Sequence, residues 1–169
     1  EKITIGTFPY EFRGFLGSRN FFIADETGKK IVRANSLWTL MDIRAGRPAK
    51  PTREMLEAYR LEEKLDMEYE PRKIRFDREG EKHPAFYVGK QHLDSNHHVN
   101  NGQYIHMAQD YLPEGFEIGQ MRAEYKKSAL LNDVLVPEAF AEEDRVGVSL
   151  CSETGEPYAI VEFRRKTRG

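Results

Sequence analysis

His92-Leu93-Asp94-Ser95-Asn96-His97-His98-Val99-Asn100-Asn101-Gly102-Gln103-Tyr104 packs an acid, histidines and side-chain amides into a dozen residues. It lies between an expected strand, Ala85 to Gly89, and an expected helix, Asn100 to Leu112. Asp94, Asn96 and His98 alternate, so an extended backbone projects all three side chains to one side. An Asp–His pair on such a face can deprotonate a water, and a neighbouring amide can orient it or steady an oxyanion. The structural alternative is that Asp and Asn build an Asx-type turn and cap the helix that follows. Calcium is excluded, because a calcium loop opening at Asp94 needs Gly where Val99 stands and Glu where Ile105 stands. Zinc is disfavoured: of the nearby His and Asp residues, only His92, Asp94 and His98 share a strand face.

Outward from this stretch, the helix carries Tyr104, Met107, Ala108, Tyr111 and Leu112 at spacings of three and four, and Pro113 and Gly115 stop it. Strands are expected at Ile118 to Ser128, Asp133 to Ala141, Arg145 to Ser152 and Pro157 to Lys166. Upstream, Lys2 to Thr7 reads as a strand interrupted by Pro9 and resumed at Tyr10 to Phe15. Phe21 to Ala24 and Lys30 to Asp42 follow as strands joined by a turn at Gly28. In the latter strand Val32, Ala34, Ser36, Trp38 and Leu40 form the better core face. Thr52 caps a helix to about Leu65, and the charged stretch Asp66 to Pro84 reads as a solvated linker. Glu26-Thr27-Gly28 and Glu153-Thr154-Gly155 recur 127 residues apart, which suggests an internal repeat.

With 169 residues, the chain has room for one ordinary domain or two small ones. Its 26 basic and 28 acidic residues are interspersed, so no face argues for nucleic acid. No apolar run has the length of a membrane span, and no membrane partner is expected. A single cysteine, Cys151, excludes an internal disulfide and fits a reducing cytoplasm, the expected setting. A buried thiol is the expected role for it.

Asp94-x-Asn96-x-His98-Val99-Asn100-Asn101, then Tyr104 and the amphipathic helix, closely resembles the active-site segment of the acyl-acyl carrier protein (acyl-ACP) thioesterases, the double-hotdog family of plant plastids and bacteria. Ser18-Arg19-Asn20-Phe21 and Ala34-Asn35-Ser36-Leu37-Trp38 look like late strands of that family's first repeat. The resemblance implies an α+β fold of two hotdog repeats, each an antiparallel sheet wrapped round a long helix, with the first repeat incomplete at its N-terminus. Residues 1–50 would be late strands of the first repeat, 51–84 a linker with a helix, and 85–169 the second repeat carrying the catalytic segment.

It further implies hydrolysis of fatty acyl-ACP thioesters to free fatty acid and carrier protein, ending fatty acid synthesis, without metal or cofactor. Asp94 and His98 would activate water or join in direct attack, and Asn96 would position the reacting groups. Backbone amides from Asn100 to Gly102 could stabilise the oxyanion. Where the plant enzymes carry a catalytic Glu followed by Cys, this chain has Ser128-Ala129. Ser128 then holds the water, or Glu124 or Asp133 substitutes for the acid. The implied partner is acyl carrier protein bearing an acyl phosphopantetheine, with Lys126, Lys127, Arg72 and Lys73 as candidate contacts, and a homodimer is compatible with the arrangement. The competing readings are an acyl-CoA thioesterase, another hotdog enzyme such as a hydratase, and a catalytically weak acyl-binding module.

Overall fold

The two Glu-Thr-Gly turns close hairpins in one conformation. Gly28 and Gly155 both sit at φ +84°, in the left-handed region that glycine enters without strain. Gly28 donates its amide to Asp25 O at 3.0 Å and Gly155 to Ser152 O at 2.9 Å, while Asp25 and Ser152 themselves donate to Lys29 O and Glu156 O. The coordinates are a computed structural model describing residues 2–167. Residues 1–70 form one compact unit and residues 71–169 another.

In the first unit, β1 (Thr4–Arg13), β2 (Leu16–Ala24) and β3 (Lys30–Thr39) form an antiparallel meander. Pro9 does not interrupt β1 as the sequence suggested. β1 pairs only with β2, and the register slips between Pro9 and Glu11, so an edge strand absorbs the missing amide at a bulge. A small ribbon of β4 (Met41–Asp42) and β5 (Arg47–Pro48) leads to α1 (Arg53–Glu57), capped by Thr52.

The expected helix to Leu65 thus ends eight residues early. Tertiary bonds claim the chain beyond it: Glu62 donates its amide to Pro9 O at 3.0 Å, and Leu65 to the Asn20 side chain at 3.1 Å. Tyr69 also donates its hydroxyl to Asn20 Oδ1 at 3.0 Å. The face expected to be core is open instead, with Val32 and Trp38 48% and 58% exposed. An apolar cavity of about 520 Å³ lies there, lined by Phe12, Phe21 and Trp38 of the sheet and by Met55 and Leu56 of α1 among others.

The second unit contains β6 (Glu81–Lys82), β7 (Phe86–Tyr87), a 3-10 turn at Lys90–His92 and α2 (Asn101–Gln109). Four long strands follow: β8 (Ile118–Tyr125), β9 (Val134–Ala141), β10 (Arg145–Cys151) and β11 (Pro157–Arg165). The sheet order is β6-β9-β10-β11-β8, with β7 also on β9. The helix packs Tyr104, Met107 and Ala108 into a core with Val146, Val148, Leu150, Val161 and Phe163. Burial of these side chains, each contributing about 1.5–3 kcal/mol, fixes the helix on the sheet.

A strap covers the sheet's other face. Ile74 donates its amide to Glu124 Oε2 at 3.0 Å, Arg145 donates to Arg75 O at 2.9 Å, and Phe76 stacks on Phe140 at 4.4 Å. Phe76 also lies so close to Gly147 that a Cβ there would meet its ring at 1.9 Å. Much of the stretch read from sequence as a solvated linker is therefore bound to the sheet. Beneath it, fully buried Glu162 accepts from Arg122 at 3.1 Å and from Arg145 Nε at 2.6 Å, and Arg164 lies 3.4 Å away. The charged side chains of the strap itself, among them Arg72, Lys73, Arg75 and Arg78, stay exposed.

The repeat extends beyond the turns. Shifted by 127 residues, Lys30 at the start of β3 falls on Pro157 at the start of β11. Ala24 at the end of β2 likewise falls on Cys151 at the end of β10, and β1 overlays most of β9.

Candidate active site

Asp94, Asn96 and His98 do not lie on an extended strand. Residues 94–97 form a tight turn: His97 donates its amide to Asp94 O at 3.1 Å and takes φ +61°. Asp94 closes the turn from both ends. Its amide donates to His98 O at 2.8 Å, and its Oδ1 accepts the amides of Asn96 at 2.8 Å and His98 at 3.2 Å. The Asx-turn alternative therefore describes Asp94, since a short acceptor side chain suits the two nearby amides. Period-two reasoning failed because it assumed a strand. The turn brings the backbone amides of Asn96 and His98 onto the Asp94 carboxylate, with Leu93 and Val99 bridged across its base.

The base of the turn is tied to the segment after β8. Val99 donates its amide to Ala129 O at 2.9 Å, and His98 is bridged to Leu130. Ser128, chosen from sequence as a site candidate, thus belongs to the segment paired with the end of the His98 loop. Asp94 is half-buried, whereas Asn96, His98 and Ser128 are exposed.

α2 starts at this turn. Asn100 accepts the Gly102 amide on its side chain at 2.8 Å and the Gln103 amide on its carbonyl at 2.9 Å. The Asn100 amide itself donates to His92 O at 2.9 Å. Of the amides considered as oxyanion donors, those of Asn100 and Gly102 are therefore engaged, which directs attention to Asn101, the first residue of the helix.

Both alternative acids are committed to structural bonds. Burial raises the Glu124 carboxyl, but the Lys126 ammonium and the Ile74 amide together hold it below its usual range. Its bond to Ile74 ties it to the strap. Asp133 Oδ2 accepts the Leu130 amide at 2.9 Å and the Tyr158 hydroxyl at 3.1 Å. Cys151 is buried and its thiol is pushed up to about 11, chiefly by desolvation and next by Glu138. It is not a nucleophile at neutral pH. Among the described residues no group of three His, Cys, Asp or Glu side chains is arranged to hold a metal.

From its spacing Tyr104 belongs to an apolar stripe, and no polar partner is expected for it. Its hydroxyl in fact accepts the buried Ala129 amide at 2.8 Å. A Tyr on an otherwise apolar face is the signal, because a buried phenol needs a polar partner.

Residues 1–59 match the profile of the acyl-ACP thioesterase N-terminal domain. No curated protein sequence matches the chain. An acyl-ACP thioesterase from Bacteroides thetaiotaomicron is similar in structure, with TM-score 0.83 and 20% identity, over 97% of this chain and 68% of that one. The 12:0-ACP thioesterase from Umbellularia californica aligns with TM-score 0.80 and 18% identity, over 98% of this chain and 68% of the other. The strands, the hairpins and the helix against its sheet are thus those of the double-hotdog fold. The chain matches the acyl-ACP thioesterase N-terminal domain over its first 59 residues and shares the fold of the solved acyl-ACP thioesterases over nearly its whole length.

Proposed function

We propose that this protein hydrolyses fatty acyl-ACP thioesters to free fatty acid and carrier protein, with the Asp94–His98 turn as its reactive centre. The observation that carries the reading is this turn at the head of α2, tied through Val99 and His98 to the segment after Ser128. The turn carries a carboxylate, an imidazole and an amide at a helix N-terminus, and the segment tied to it carries the Ser128 hydroxyl, groups able to serve thioester hydrolysis. The match over residues 1–59 supports the thioester substrate.

Water attacks the thioester carbonyl carbon and gives up a proton to the Asp94–His98 pair. Asn96 and Ser128 orient the water, and the Asn101 amide faces the developing oxyanion. The C–S bond then breaks, and the departing phosphopantetheine thiolate takes up the proton, leaving a carboxylic acid. Asp94 also has a structural duty beside the proposed one, since its carboxylate accepts the His98 backbone amide. Cytoplasmic location and a homodimer belong to the same proposal, and sedimentation tests the latter. No described helix is long and apolar enough to cross a membrane.

An assay on a ladder of saturated acyl chains, presented on acyl carrier protein and on coenzyme A, tests the reading. Release of free thiol, faster from carrier than from coenzyme A, is the expected result. An enoyl thioester that gains water without being cleaved would instead assign a hydratase. Tight binding of acyl carriers without turnover would make the protein an acyl-binding module.

A further inference from the structure

One phenol joins three pieces of the second unit. Tyr104 lies on the first turn of α2 and is buried. Its hydroxyl accepts the Ala129 amide at 2.8 Å, while the carbonyl of the same Ala129 accepts the Val99 amide at 2.9 Å. The next amide, of Leu130, is held at 2.9 Å by Asp133, which Tyr158 braces through its own hydroxyl. Ala129 is wholly buried, with exposed Ser128 on one side and exposed Leu130, the bridge partner of His98, on the other. A phenylalanine at 104 would fill the same space but leave the Ala129 amide without a partner, and a buried donor left unsatisfied drives the local backbone to shift.

We propose that Tyr104 is a positioning residue for hydrolysis: by accepting the Ala129 amide, its hydroxyl fixes Ser128 beside the His98 turn. The role rests on the thioester hydrolase reading, and Tyr104 touches no reacting atom. It acts through backbone placement, so its loss falls on kcat rather than on substrate binding. Misplacement of a positioning segment by about 1 Å lowers turnover by up to about a hundredfold.

The test uses the full chain and its Tyr104→Phe, Ser128→Ala and double variants, assayed with acyl-loaded carrier protein, alongside amide hydrogen exchange. Tyr104→Phe is expected to lower kcat by about tenfold to a hundredfold with KM within about twofold. In the Ser128→Ala background the same substitution should have almost no further effect, because the group it places is already gone. Exchange at Ala129 and Val99 should accelerate while amides of β10 and β11 stay protected. Unchanged kcat, losses that multiply in the double variant, or unchanged exchange at Ala129 and Val99 would each overturn the assignment. Should Tyr104→Phe fail to fold, Tyr158→Phe removes the second hydroxyl of this clamp and is read the same way at Leu130. A wild-type chain without turnover would end the hydrolase reading instead, a result separate from the exchange measurement.

Discussion

Asp94 builds its turn and is proposed to serve hydrolysis as well, and a choice of side chain can separate the two. Its Oδ1 holds the amides of Asn96 and His98, so Asp94→Ala should lose the turn as well as the charge, destabilising by about 1–3 kcal/mol. Asp94→Asn keeps an oxygen acceptor in the same place but cannot support an imidazolium. Its melting temperature should stay near wild type while turnover falls by about a hundredfold or more. Thermal melts and steady-state kinetics on the two variants check both halves, and an active Asp94→Asn enzyme would leave Asp94 a turn builder only. Cys151 makes a pH prediction of definite sign. Its thiol ionises at about 11 when folded, against 9.0 for a free thiol. Over that window the unfolded chain releases a proton that the folded one keeps, so stability falls as pH rises through it. Below about pH 9 the thiol contributes no slope. Denaturant titrations across this range should show the decline, and Cys151→Ala should flatten it.

At the scale of the element, the strap over the second sheet gives a prediction that no strand or helix does. Phe76 occupies the space above Gly147 and stacks on Phe140, so Gly147→Ala should displace the ring and destabilise by about 1–3 kcal/mol. In a Phe76→Ala background the added methyl has room, and the penalty should nearly vanish. A double-mutant cycle by urea unfolding reads this coupling directly, and additive losses would detach Phe76 from Gly147. The strap also marks where the sequence stopped being legible. α2 could be read from its 3.6-residue stripe, and the hairpins from glycines that must take positive φ. Those signals are local. Residues 59–82 carry no period, because they are held by single bonds to distant partners: Asn20 for Leu65 and Tyr69, and Glu124 for Ile74. A charged run reads as a free linker when its backbone partners cannot be seen: Glu124 holds the amide of Ile74 and Arg145 the carbonyl of Arg75, both from distant strands. The candidate residues stand out by type while their conformation does not, since an Asx turn and a strand can share the spelling Asp-x-Asn-x-His.

For the whole molecule, the proposed activity depends on what presents the acyl group, and charge distribution offers a way to decide it. The net charge of -2 gives no long-range attraction toward an acidic carrier, so any carrier preference must come from a local basic patch. Arg72, Lys73, Lys126 and Lys127 all belong to the second unit and are exposed. Lys126 is paired with Glu124 at 2.6 Å, and its charge is partly spent on holding that carboxylate. Lys127 stands over the Tyr158 ring at 5.6 Å without a carboxylate of its own in that contact. Lys127→Glu should therefore act more cleanly than Lys126→Glu, which also disturbs the strap through Glu124. For carrier-bound substrate, Lys127→Glu is expected to raise KM by about three- to tenfold, more at low salt than at high, because rim charges act through screened attraction. The same variant assayed on acyl-CoA should change less, and kcat on either substrate should hold. Equal effects on both substrates would place Lys127 near the acyl group or its phosphopantetheine arm. No effect on either would return it to the solvated surface that its exposure alone suggests.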